Sequence, residues 1–521
     1  MTTQLRREGI ARSSTTKSVA ASLLVAAAMI SSCLVPAAGP ARAADTFTVD
    51  QTIDTPDANV GDGDCDVSLA ATGFQCTLRA AIQEANATPE PDLIRFSILD
   101  GTPGVETISV GSSGFGPLPA ITGPVTIDGY TQQGTSSNTK AVGNDAVLKI
   151  KLNGAGAGAG AEGLEITGVS GGSVIKGLVV NGFGGAGIAI NGDTSNNRIE
   201  GNFIGTNPTG AVDNGNLSDG VAVVNGASQN VVGGTTPAAR NVISGNGDSG
   251  VFVSNANGNR IEGNYIGTDK SETRKLGNVD SGVKLNNATG NVIGGTTSGA
   301  GNLISGNATD LTRGVRIFDG SDNEILGNRI GTTANGNAAL GNFVGISMFL
   351  TDGNTVGDGS AGGTNTIAFN ATDGVAIDGS ISTNNSVDRN SIFSNGGLGI
   401  DIGGGVENAA GRTANDKGDA DGGPNNVQNF PVISSAKTVT GETTIAGKLN
   451  STPNTIFVIQ FYANPSGNEG KTFIGREFAT TNGLGNASFT FSPVSPVAAG
   501  QTVTATATDL AGNTSELSAP R

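Results

Sequence analysis

A four-residue pattern governs the middle of this chain. Glycine, an aliphatic residue, a variable residue and a second aliphatic recur at Gly163, Gly187, Gly220, Gly250, Gly282, Gly314, Gly345, Gly374 and Gly399. Successive starts lie 24 to 33 residues apart. The alternation is that of a short strand, with the two aliphatics on one face and the variable residue on the other. From Gly187 onward two more short apolar segments follow in each complete repeat, each introduced by asparagine. One series opens at Asn197, Asn230, Asn259, Asn291, Asn323, Asn354 and Asn385, the other at Asn202, Asn241, Asn264, Asn302, Asn328, Asn365 and Asn390. Three strands per repeat predict an all-β fold, a right-handed parallel β-helix. No single coil can bury its apolar face, so stacking must supply the core. The asparagines suit tight corners, where stacked amides hydrogen-bond along a ladder.

A longer period, about two coils, overlies the first. The segments NRIEGNFIGT, NRIEGNYIGT and NEILGNRIGT start at Asn197, Asn259 and Asn323. Insertions follow the third strand in one coil and the second strand in the next, so they alternate between two corners.

The flanks read differently. Arg6, Arg7, Arg12 and Lys17 precede an apolar run, Val19 to Ile30, and Ala41-Arg42-Ala43 offers a cleavage site. Residues 1–43 therefore predict an export signal. Ile30-Ser31-Ser32-Cys33 offers the alternative of a lipidated Cys33. No other segment suggests a membrane span. Residues 44–100 predict a cap for the open end of the stack. Thr77 can cap a helix whose Leu78, Ala81, Ile82 and Ala85 share one face. Cys65 and Cys76, eleven residues apart in an exported chain, predict a disulfide. Strands are expected at 93–98, 107–110, 125–128 and 147–151, within a solenoid assigned to 101–405.

Cys76-Thr-Leu-Arg-Ala-Ala-Ile resembles the CSLREA segment of exported bacterial β-helix proteins. The repeat itself and Asn395-Gly-Gly-Leu-Gly-Ile-Asp-Ile resemble the same family. Ala80 stands where that family carries glutamate, which removes half of a capping box. The resemblance implies architecture and brings no catalytic residues with it. Beyond an Asp/Asn/Gly-rich linker at 406–430, residues 431–521 show about seven alternating segments. Those include 443–449, 456–462, 473–480, 487–491 and 502–508, and they predict an Ig-like β-sandwich.

Composition narrows the partners. The chain of 521 residues carries 83 glycines and a net charge of −16, more negative still without its basic leader. Such a surface argues against nucleic acid and anionic membranes. Tryptophan and histidine are both absent, and tyrosine occurs only three times. Sugar clefts commonly use such aromatic platforms, and histidine is the commonest acid–base group.

Chemistry converges on one surface. The outward residues of the opening strands run Ala189, Ala222, Phe252, Lys284, Arg316, Ser347, Ala376 and Asp401. The next outward column runs Asn191, Val224, Ser254, Asn286, Phe318, Phe349, Asp378 and Gly403. Lys284, Arg316, Asp378 and Asp401 are the candidate catalytic groups, and Phe252, Phe318 and Phe349 the candidate ligand contacts. The arrangement resembles that of β-helix polysaccharide lyases, which use arginine or lysine as base, and of hydrolases that cluster aspartates. Two oxygen-rich segments are candidate calcium sites: Asp62, Asp64 and Asp66, and Asp419 and Asp421 with Asn425. Neither completes an EF-hand, since Val67 occupies its glycine position. Arg198/Glu200 and Arg260/Glu262 are expected as solvated pairs. Three functions stay open: binding or adhesion to an extracellular polysaccharide, polyuronate lysis or glycoside hydrolysis, and a structural surface role.

Overall fold

The alternating strands stack in the register that their glycines set. The computed structural model describes residues 44–521 except 71–72, 74, 100–103, 169–170, 308–311 and 404–410. The expected export signal over 1–43, with its expected cleavage site and Cys33, lies outside the described residues. Among the described residues three parallel sheets run the length of a parallel β-helix, with nine, eleven and ten strands. The nine-stranded opening sheet contains every glycine-led strand, from Leu164–Ile166 to Ile400–Ile402. The middle sheet takes the strands after the first asparagine series. The closing sheet takes those after the second.

Inward positions form continuous aliphatic columns. In the opening sheet these are Ile188, Val221, Val251, Val283, Val315, Ile346 and Val375, followed two residues on by a second column. All are buried. A fully buried aliphatic side chain contributes about 1.5–3 kcal/mol, and stacking is what buries these.

The corners are closed by asparagine. Asn291 is typical. Its Oδ1 accepts from the backbone N of Asn259 at 2.9 Å and from that residue's Nδ2 at 3.2 Å. Its own N and Nδ2 donate to Asn323 Oδ1 at 2.9 and 3.1 Å. A third ladder, not anticipated from sequence, runs through Asn216, Asn246, Asn278, Asn307, Asn342, Asn370 and Asn395.

Alternating insertions also find a role. Those after the closing strand form small hairpins, bridged at Thr206/Asp213, Thr268/Lys275 and Thr332/Ala339. Each hairpin touches the next one two coils away: Lys270 N donates to Gly210 O at 2.8 Å, and Ala334 N donates to Glu272. In those same coils the middle-to-closing corner shrinks to one glycine, flanked by the longer corners of the coils on either side. At Gly263 φ is +71°, and a Cβ there would lie 2.0 Å from Gly234 O and 2.9 Å from Gly299 O. The short corner fits only because it has no side chain.

The solenoid starts earlier than residue 101. Thr46–Val49 already pairs in parallel with Asp92–Phe96, and the helix Leu78–Asn86 covers this first coil. Thr77 caps that helix, accepting from Ala80 N at 3.1 Å, and the four predicted residues are buried. Cys65 and Cys76 form the disulfide. Closing so short a loop stabilises by roughly 3 kcal/mol on the chain-entropy model. Arg79 and Asp54 form an ion pair at 2.7 Å, with side chains 6% and 0% exposed. One expected strand moves: 147–151 becomes Ile150–Asn153. Val147 instead exchanges two backbone hydrogen bonds with Ser136, in a loop laid over the closing sheet.

The C-terminal module has six strands among the described residues, in two three-stranded antiparallel sheets around one apolar cluster. The expected seventh segment is the tail. It follows Thr502–Asp509 through backbone bonds at Ser515, Ser518 and Arg521 without becoming a regular strand. This module covers the last coil. Ile392 and Gly470 exchange two 2.9 Å backbone hydrogen bonds, and Tyr462 and Leu517 join the solenoid core.

Candidate functional site

Both outward columns of the opening sheet are aligned as their register requires. Phe252, Lys284, Arg316 and Ser347 are successive Cα partners, and Ala376 pairs with Asp401. Asn286, Phe318, Phe349 and Asp378 form the second column. Phe318 and Phe349 stack with centroids 5.7 Å apart and planes 14° apart, and Phe349 is 40% exposed. Lys284 Nζ sits 5.4 Å from the centre of Phe252, and Arg316 lies 5.9 Å from that of Phe318. Interleaved cations and rings attract through the ring quadrupole.

Asp280 organises the cations. It lies 2.7 Å from Lys284 Nζ and 3.6 Å from Arg316 Nη1. Sequence reading missed it because it precedes the strand pattern, at a corner where polar residues are unremarkable. The two candidate carboxylates face different neighbours. Asp378 is held above the usual range by burial and Asp373, opposed by Arg313. Asp401 acts instead on Glu516 of the C-terminal tail. A hollow of about 350 Å³ lies between Asp373 and Asp401.

Asp219 was also missed. Burial first, and then Asp248, push its carboxyl up to about 7, although Ser249 N donates to it at 2.9 Å. A carboxyl raised from 3.8 to about 7 binds its proton more tightly in the folded chain. Its contribution to stability is therefore lost as pH rises through that interval. Wild type should gain stability relative to Asp219→Asn on acidification from about pH 8 to about pH 5. Melting temperatures across that range check this, and parallel profiles for the two proteins would refute it.

The calcium candidates are rearranged. Asp62, Asp64 and Asp66 do not bring three ligand atoms within 4.8 Å of one another, and Asp62 bonds within its own loop. Its carboxylate accepts from Asp64 N and Asn59 Nδ2, each at 2.9 Å. Among the described residues the one acidic set with ligand atoms within 4.8 Å is Asp416, Asp419 and Asp421. Burial and its two neighbours push Asp419 up to about 6 while it accepts from Ser451 and Asn429. Asn425 does not join them. It is the last rung of an asparagine ladder, accepting from Asn385 N at 3.0 Å and donating to Asn385 O and Thr514 O. Arg198/Glu200 and Arg260/Glu262 pair at 3.0 and 2.9 Å.

No family model and no curated protein matches the chain. Among solved structures, the periplasmic alginate epimerase AlgG is 13% identical at a TM-score of 0.32, covering 61% of this chain and 74% of that one. Tailspike protein 2 from Escherichia coli O157:H7 bacteriophage CAB120 is 11% identical at 0.31, covering 90% and 62%. The Streptococcus pneumoniae surface protein and adhesin PfbA is 11% identical at 0.27, covering 69% and 86%. Such likenesses concern the path of the chain and carry nothing about its activity.

Proposed function

We propose that this is an exported β-helix protein of the CSLREA-containing kind, which binds an extracellular polysaccharide along its opening sheet without cleaving it. The observation that carries the reading is the surface built by Phe252, Lys284, Arg316, Phe318 and Phe349. The stacked rings, half-buried at Phe318 and exposed at Phe349, supply apolar area to sugar faces, and two cations beside them suit an acidic polymer. Both cations are already engaged by Asp280, which suits steady recognition more than proton abstraction. The disulfide fits an oxidising compartment outside the cytoplasm. No helix among the described residues is long and apolar enough to cross a membrane. The C-terminal module is read as Ig-like, serving to close the stack.

Affinity electrophoresis in gels carrying pectate, alginate or neutral glucan tests the proposal. Retardation by an acidic polymer is expected, and Phe318→Ala/Phe349→Ala should weaken it about tenfold, or about 1.4 kcal/mol. Absence of retardation, or an unchanged double variant, would defeat it. One observation favours a second, hydrolytic reading: Asp219 is an acid poised near neutrality beside Asp248. New reducing ends from any of these polymers, lost in Asp219→Asn, would establish that reading in place of the first.

A further inference from the structure

A second cleft lies on another side of the solenoid, over the closing sheet. Its volume is about 550 Å³, within the range of small-molecule sites, roughly 300–1,000 Å³. Tyr265, Leu303 and Arg329, successive outward residues of that sheet, contribute to its floor. The insertions after the middle strands form one wall, through Thr235, Thr296, Thr297 and Ser298. The long loop before Ile150 and the hairpin at Ala334 line the remainder.

Two of its large polar side chains are already committed to structure. Arg240 donates to the carbonyls of Lys140, Ala141, Gly143 and Gly263 and stacks 4.5 Å over Tyr265. The Tyr265 hydroxyl accepts from Gly143 N at 2.8 Å. Arg329 differs. It is exposed on the floor, and its guanidinium makes no hydrogen bond or ion pair with the described residues. Glu272, which its field reaches, is occupied by Ala334 N. An acidic chain thus places an uncommitted guanidinium at the base of a cleft rimmed by hydroxyls and glycine backbone. A guanidinium pairs with a carboxylate through two parallel hydrogen bonds. Short hydroxylated side chains and free backbone groups suit the hydroxyls of a sugar ring.

We infer that this cleft is a binding site for a carboxylate-bearing sugar, with Arg329 holding the carboxylate. The site is separate from the opening-sheet face and does not depend on it. Its test is isothermal titration calorimetry with trigalacturonate in the Phe318→Ala/Phe349→Ala protein, where the opening-sheet face contributes least. Saturable binding is expected, with neutral trigalactose and inorganic sulfate each at least tenfold weaker. Adding Arg329→Gln should weaken trigalacturonate at least tenfold. Adding Ser298→Trp, which fills the cleft from its exposed rim, should remove the binding. Melting temperatures should stay within a few degrees, since both positions are exposed. The inference is overturned if trigalacturonate gives no saturable heat or if either added variant binds it as before. Equal binding of trigalactose or of sulfate alone overturns it as well. The opening-sheet reading is judged separately, by the change in retardation that Phe318→Ala/Phe349→Ala causes in polymer gels.

Discussion

Replacing Asp54 with alanine should cost the fold about 3–5 kcal/mol, the range for breaking one partner out of a buried ion pair. Asp54 is fully buried and receives Arg79 Nε and Nη2 at 2.7 and 2.8 Å. Its Oδ2 also accepts from Gly111 N at 2.6 Å. Arg79 in turn donates to the carbonyls of Gly116 and Pro117. One carboxylate therefore ties the capping helix, the first coil and the loop at 111–117 together. Alanine would leave a guanidinium buried without its counter-charge. The double variant Asp54→Ala/Arg79→Leu should recover part of the loss, because it removes the stranded charge. Hydrogen exchange should show the effect in the N-terminal coils first, since a coil packs mainly against its immediate neighbours. A single variant costing under about 1 kcal/mol, or a double variant worse than the single, contradicts this account.

Asn291→Ala is the second large effect, at about 3 kcal/mol by denaturant unfolding. Its side chain lies at the middle of a ladder with 0% exposure. Truncation strands the backbone N of Asn259 and removes a donor from Ala256 O at 3.1 Å. Each buried group left without a partner costs about 1–3 kcal/mol, while a made hydrogen bond returns only about 1. The asymmetry explains why the ladder matters more than its individual bonds suggest. A measured loss under about 1 kcal/mol would mean that water or a shifted corner replaces the amide.

The outward columns were legible in the sequence for a specific reason. Glycine starts each opening strand, and a two-residue period then assigns every side chain to a face. Lys284 and Arg316 could be placed one rung apart on that basis, and they pair as read. What surrounds the columns was not legible. Asp280 precedes the period and reaches its partners from a corner. Asp219 owes its raised pKa to burial, which no local pattern encodes. The third ladder was legible in part: Asn216, Asn246, Asn278, Asn370 and Asn395 each stand four residues before an opening-strand glycine, while Asn307 and Asn342 break that spacing at seven and three. Asn425 resembled a ligand from its acidic neighbours, yet its partner is forty residues away.

The insertions that meet every second coil have a bearing on how such a chain can change length. Hairpin rests on hairpin through Lys270 and Gly210, and the glycine corner at Gly263 fits between flanking loops. Losing one coil would bring unlike corners together and press a loop where only a glycine fits. Losing or duplicating two would leave every contact facing its own kind. The heritable unit of growth in this solenoid is therefore the pair of coils, and the near-repetition of NRIEGNFIGT as NRIEGNYIGT is what duplication by pairs would leave behind.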